Sequence, residues 1–86
     1  MENKTIRIYE DRINGKWTPS PYGNPITDEA TVHHMLLQDM ICKYQWKGKY
    51  VKSIRRHNNY DGTCDYTVTY GGDGYVYGRA IYTIKE

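Results

Sequence analysis

Two cysteines and three histidines are the side chains of this sequence best suited to nucleophilic or metal chemistry. Cys64 and His57 fall on strands that we predict to be neighbours, and a thiol beside an imidazole is a pair that nucleophilic catalysis can use. Cys64, however, shares its predicted strand face with Tyr66 and Val68, where a cysteine usually behaves as a small buried apolar residue. We therefore expect the protein not to be an enzyme, with a small enzyme that uses Cys64 and His57 as the exception.

The histidines do not form a metal-binding motif. His33 and His34 are adjacent on a predicted helix, where successive side chains point about 100° apart, so they cannot chelate one ion. The spacings typical of zinc sites, His-x-x-x-His and Cys-x-x-Cys, do not occur in the sequence. The glycine-rich residues 71–74 precede a predicted strand, whereas a phosphate-binding loop needs a helix at that place. We expect neither a metal nor a cofactor.

Residues 43–60 form a strongly basic segment. They contain six lysines and arginines and no acidic residue, so their net charge is +6. The parts of the chain on either side each have a net charge of −2, which reduces the formal charge of the whole chain to +2. Four aromatic residues lie among these cations. Basic charge mixed with aromatic rings is suited to a nucleic-acid backbone and its bases, but a strand with two different faces gives the same pattern in one dimension.

Alternation along an extended strand separates most of these rings from the cations. One predicted face consists of Tyr44, Trp46, Gly48, Tyr50, Lys52, Ile54 and Arg56. The other consists of Lys43, Gln45, Lys47, Lys49, Val51, Ser53, Arg55 and His57. A bulge at Gly48 would exchange the faces beyond it, because one extra residue shifts the alternation by one. The end of the segment at Arg55, Arg56 and His57 is basic in either case, and we expect an anionic partner to bind there.

The remaining composition indicates a small domain. Eighty-six residues suffice for one modest hydrophobic core, so we predict a single domain over residues 1–86. The aromatic residues are ten tyrosines and two tryptophans without phenylalanine, and tyrosine is favoured both in strands and at binding surfaces. The sequence shows no secretory signal and no long apolar run, so we expect a cytoplasmic protein with reduced cysteines and no membrane segment.

Turn signals and periodicity predict an α+β fold. Asn14-Gly15 indicates a hairpin between strand residues 5–13 and 16–18, because a type I′ turn needs two residues that tolerate positive φ. A loop rich in proline and glycine follows at about residues 18–26, and then a helix from about Asp28 to Cys42 with Thr27 as its N-cap. Strands from 44 or 49 to 57, from 63 to 70 and from 75 to 84 complete the chain. The predicted order is a β-hairpin, a helix and a three-strand β-meander, with the single helix packed on an antiparallel sheet.

Small size and the lack of a catalytic constellation indicate a protein that acts by binding. We expect a non-catalytic protein-interaction module, such as an inhibitor or adaptor encoded by a phage or mobile element, that binds a larger protein with an acidic surface. A homodimer formed through an uncovered edge strand is one variant, and a nucleic-acid-binding protein that uses the basic segment is the alternative. The predicted partner-binding residues are Lys47, Lys49, Lys52, Arg55, Arg56, His57 and Tyr60, with Trp17 and Tyr22 beside the proline-rich loop.

Overall fold

A computed structural model describes residues 5–20, 25–42 and 50–85, which form one helix and one five-stranded sheet. The elements in chain order are β1 (Ile6–Ile13), β2 (Lys16–Pro19), α1 (Glu29–Cys42), β3 (Tyr50–Asn58), β4 (Thr63–Gly72) and β5 (Tyr75–Lys85). All neighbouring strands are antiparallel, in the order β2-β1-β5-β4-β3. The predicted α+β class and its order of hairpin, helix and meander are confirmed.

Helix α1 begins after an Asp28 cap. The Asp28 carboxylate accepts a hydrogen bond from the Thr31 backbone N at 3.0 Å and another from the Thr31 hydroxyl, and these bonds lower the pKa of Asp28 because they favour its ionised form. The predicted cap, Thr27, is therefore wrong by one residue. Just before the cap, Ile26 exchanges two backbone hydrogen bonds with Arg7 of β1, at 2.8 and 3.0 Å, which attach the start of the helix to the sheet.

The helix packs on one face of the sheet, which we call the covered face. Val32 and Leu36 are its buried residues, and they join a cluster on the strands that consists of Val51, Val68, Ala80 and Tyr82. The predicted alternation of β4 holds, since Cys64, Tyr66, Val68 and Tyr70 all lie on the covered face. In β1 it is Arg7 and Tyr9 that lie on this face, so Ile6 and Ile8 lie on the opposite one.

The pairing of β3 changes between Val51 and Ser53, with Lys52 as the extra residue. Val51 therefore joins Ile54 on the covered face, and its predicted grouping with Ser53 is wrong. Gly48, where a bulge would exchange the two faces, lies outside the described residues. A second irregularity lies directly across β4, where Tyr70 pairs with Gly78 but Gly71 pairs with Val76. Two bulges beside each other bend this end of the sheet.

We predict that Gly71→Ala lowers the free energy of unfolding by about 2 to 3 kcal/mol, because overpacking forces the backbone to shift. An added Cβ at Gly71 would lie 2.2 Å from the backbone O of Tyr75 and 2.6 Å from Cδ of Lys52. Gly74→Ala is the matched control in the same hairpin. Its added Cβ would meet nothing within 4 Å, so the φ of +77° is the one unfavourable feature. That backbone strain lowers the free energy of unfolding by about 1 kcal/mol. Urea unfolding compares the two variants, and equal losses would contradict close packing of the two bulges around Gly71.

Candidate functional site

The face of the sheet opposite α1 is the main candidate for a functional surface. No helix among the described residues packs on it, and we call it the open face. Cross-strand pairing arranges its side chains in rows. These rows are His57-Asp65-Thr83-Ile6, Arg55-Thr67-Ile81-Ile8, Ser53-Thr69-Arg79-Glu10-Pro19 and Arg12-Trp17.

Trp17 is the aromatic centre of this surface, and two arginines hold its ring. Cζ of Arg12 lies 4.9 Å from the ring centroid and Cζ of Arg79 lies 4.3 Å from it, which is within the range of cation–π attraction. Arg79 is itself fixed by Glu10, whose Oε1 accepts a hydrogen bond from Nε at 2.8 Å and forms an ion pair with Nη2 at 2.8 Å. The indole is therefore half-buried in a fixed position before any partner arrives.

An apolar strip continues from this cluster along β1 and β5. Ile8 remains 39% exposed and lies directly opposite Ile81, with Ile6 two residues further along β1. The solvent-facing side of an antiparallel sheet is usually polar, and exposed apolar groups that adjoin one another mark interaction sites. The sequence analysis did not single out Ile8, Ile81, Arg12 or Arg79, because alternation groups residues by face without saying which face is covered.

The open face is positively charged on balance. Its two acidic residues in the described strands are already engaged: Glu10 binds Arg79, and Asp65 accepts hydrogen bonds from Asn59 Nδ2 at 3.0 Å and Thr83 Oγ1 at 2.7 Å. Arg55 is exposed and forms no ion pair with another described residue. The surface can therefore attract an anionic partner.

The structure divides the predicted basic surface. Arg55 and His57 lie on the open face, whereas Arg56 lies on the covered face opposite Tyr66. Lys52 Nζ donates hydrogen bonds to the backbone O of Gly72 at 3.2 Å and of Tyr75 at 3.4 Å, so its amine is bound to the β4–β5 hairpin. The remaining predicted residues, Lys47, Lys49 and Tyr22, lie outside the described part of the chain.

Tyr60, another of the predicted residues, is 89% exposed. It adopts a φ of 61° in the β3–β4 loop, a conformation that costs energy for a residue with a side chain. Side-chain oxygens stabilise the loop on both sides, since Asn58 Oδ1 accepts from Tyr60 N at 2.8 Å and Asp61 Oδ1 accepts from Thr63 N at 2.9 Å. The loop thus presents a tyrosine to solvent at the end of the sheet.

Cys64 and His57 do not form a catalytic pair in this structure. Cys64 is buried on the covered face opposite Asn58, whereas His57 is exposed on the open face opposite Asp65. Within the described ranges, no group of three or more histidine, cysteine, aspartate or glutamate side chains is placed to hold a metal ion. Helix α1, the one helix in those ranges, is not long and apolar enough to cross a membrane.

The covered face contains a network of tyrosines around Asp39 of α1. Its carboxylate accepts hydrogen bonds from the Tyr82 hydroxyl at 2.5 Å and from the Tyr70 hydroxyl, and Arg7 Nε donates to Tyr82 Oη at 3.2 Å. Burial, together with hydrogen bonding to Asp39, raises the pKa of Tyr70 and of Tyr82. Burial and the nearby Asp11 raise the pKa of Tyr9 to about 12. These groups join the helix to the sheet.

Comparisons with protein-family models, with curated proteins and with solved structures found no match for this chain. Its function therefore has to be argued from its own residues.

We predict that the protein loses stability as the pH rises above about 10, where tyrosines of an unfolded chain ionise. Tyr9 keeps its proton up to about pH 12 in the folded state, and the pKa values of Tyr70 and Tyr82 are also raised. The unfolded chain therefore releases protons first, so this contribution is fully present below pH 10 and decreases above it. Urea unfolding at a series of pH values measures the slope.

Tyr9→Phe should make this slope shallower, because it removes one of the contributing hydroxyls. Tyr60→Phe is the control, since that side chain is 89% exposed, and it should leave the slope unchanged. A free energy of unfolding that stays constant from pH 9 to pH 12 would contradict the burial of these hydroxyls.

Proposed function

We propose that this protein is a small non-catalytic interaction module that binds a larger protein through its open face, and that it acts as an inhibitor or adaptor by occupying a surface of that partner. The observation that carries the proposal is the position of Trp17, fixed by Arg79 and Glu10 at the end of an isoleucine strip that α1 does not cover. Placement in the cytoplasm and an origin in a phage or mobile element stay predictions from the sequence.

Residue types and preorganisation both support a protein partner. Tryptophan and arginine are enriched among the residues that contribute most of the energy at protein interfaces. Trp17 is already restrained by two guanidinium groups, so binding need not fix its side chain, and less conformational entropy is lost on association. Ile8 and Ile81 add apolar surface that a partner can cover next to this anchor.

The positions of the cations support a partner with an acidic surface. Arg55 lies on the edge strand β3 and Trp17 on the opposite edge strand β2, and these two strands are about 19 Å apart at the usual spacing between strands. Both described acidic residues of the face are engaged within the sheet. Arg12 and Arg55 would therefore meet acidic groups of the partner on either side of the apolar strip, which gives orientation and a faster association rate.

Nucleic acid is supported less well. A base that stacked on Trp17 would compete with the guanidinium groups of Arg12 and Arg79, whose Cζ atoms lie 4.9 and 4.3 Å from the ring centroid. The described cations of the basic segment also fail to form one track along a backbone, because Lys52 binds the hairpin and Arg55 and Arg56 lie on opposite faces.

We predict that Trp17→Ala combined with Arg55→Ala weakens binding to the partner by at least tenfold, because it removes both anchors. The partner would be recovered by pull-down from a nuclease-treated native lysate, and its affinity measured with the purified protein. The comparison variant is Lys16→Ala with Arg56→Ala, which changes the same two strands, β2 and β3, on the opposite face. It removes two positive charges, whereas the open-face variant removes one. It should bind nearly as well as the unmodified protein.

Two results would contradict this proposal. If both double variants, shown by circular dichroism to be folded, bind the partner equally well, the open face is not the binding surface. Titration of single- and double-stranded oligonucleotides at low salt tests the alternative, because phosphate contacts strengthen as salt is diluted. Tight oligonucleotide binding that the open-face variant abolishes would replace the protein partner by nucleic acid.

A further inference from the structure

A second exposed apolar surface lies on the other side of the molecule, along α1. Leu37, Met40 and Ile41 are 51%, 42% and 69% exposed. With His33 they form what we call the outer stripe, because at 100° per residue these four positions lie side by side on the helix, next to the inner positions Val32 and Leu36. A helix that is apolar on adjoining sides needs a second contact surface besides the sheet.

A groove accompanies this stripe. It has a volume of about 270 Å³, and the helix forms one wall while two strand residues form the floor. Its lining residues are His33, Leu36, Leu37, Met40, Tyr66 and Ile84. Ile41, which is 69% exposed, projects beside it, and Leu37 forms its exposed rim, so one small patch contains both a projection and a hollow. A two-fold symmetric interface requires such a patch, because each copy must supply what the other receives.

We propose that the outer stripe is the interface of a homodimer, in which two copies of α1 pack antiparallel about a two-fold axis near Leu37. In this arrangement Leu37 of each copy lies against the groove beside Met40 of the other copy, and His33 lies near the other copy's Ile41. The proposal does not depend on the proposed function, because the open faces of both copies stay on the outside of the dimer.

The distribution of charge favours a second copy in this orientation. Helix α1 contains no lysine or arginine, and its acidic residues are Glu29, next to the Asp28 cap, and Asp39, which the tyrosines engage. A partner chosen for its acidic surface would therefore find no cation on the stripe. Antiparallel packing keeps the acidic ends of the two helices apart and aligns their dipoles favourably.

Dimerisation through an uncovered edge strand, the variant predicted from the sequence, does not suit the edge strand β3. This strand carries the Lys52 bulge and the exposed residues Arg55, Arg56 and His57. Two copies paired along this edge would bring these cations together, and charged residues and bulges are the features by which proteins prevent such pairing.

The interface is small, so we expect a dimer with a dissociation constant in the micromolar range. Sedimentation velocity over about 5 to 500 µM (a range chosen around micromolar affinity) should show a shift from monomer to dimer. Leu37→Glu should weaken dimerisation by more than tenfold, because it places two carboxylates at the two-fold axis. Gln38→Glu is the matched control, since it adds the same charge at the adjacent position on the exposed side of α1 away from the stripe.

Cross-linking gives a second measurement that does not depend on destabilising the helix. In a Cys42→Ser background, Leu37→Cys should form a disulfide-linked dimer on mild oxidation, whereas Gln38→Cys should remain monomeric. The proposal is overturned if the protein stays monomeric over the whole concentration range, if Gln38→Glu weakens the dimer as much as Leu37→Glu, or if the two cysteine variants cross-link equally. A dimer that only Arg55→Glu disrupts would assign the interface to β3.

Discussion

The carboxylate of Asp39 is the group on which the arrangement of helix and sheet depends. Among the described side chains of α1, Val32 and Leu36 are buried and Met35 packs partly buried against the same cluster, which is little apolar contact for a helix on a five-stranded sheet. Asp39 adds hydrogen bonds from tyrosines of both β4 and β5. Hydrogen bonds to a charged group are stronger than neutral ones, and leaving such a group unpaired is costly. The network therefore fixes which side of α1 faces the sheet, and so leaves Leu37 and Ile41 outside.

The same network explains why isoleucines occupy the open face. Tyr70 and Tyr82 need an acceptor between helix and sheet, and Arg7 and Tyr9 approach it from β1, so these two residues of β1 face the helix. Period-two alternation then places Ile6 and Ile8 on the opposite side. A core built from tyrosine hydroxyls around one carboxylate thus displaces aliphatic residues to the open face.

Local sequence signals predicted the helix, the strands and the turns. Tertiary contacts determine the position of the bulge and the face of the sheet that the helix covers. Asn14-Gly15 forms the predicted turn, with φ of 52° and 77°, because the turn conformation depends on those two residues alone. Thr27 and Asp28 are both of a type that caps helices, with aspartate the better of the two, and Asp28 is the one whose carboxylate bonds Thr31. The Lys52 bulge could not be foreseen, since lysine has no preference for bulges and the position depends on the hairpin carbonyls that its amine reaches. Alternation likewise grouped Ile6 with Ile8 without indicating which group the helix covers.

Apolar side chains are exposed on both sides of the sheet, so a partner that covers either side would also stabilise the fold. Apolar area contributes about 25 cal/mol per Å² only when it leaves water, so Ile8 on one side and Leu37 on the other contribute little while they are exposed. A ligand that binds only the folded state stabilises it by mass action. Covering the open face or the outer stripe would therefore add stability that the isolated chain lacks, and the two contributions should be additive because the surfaces lie on opposite sides of the sheet.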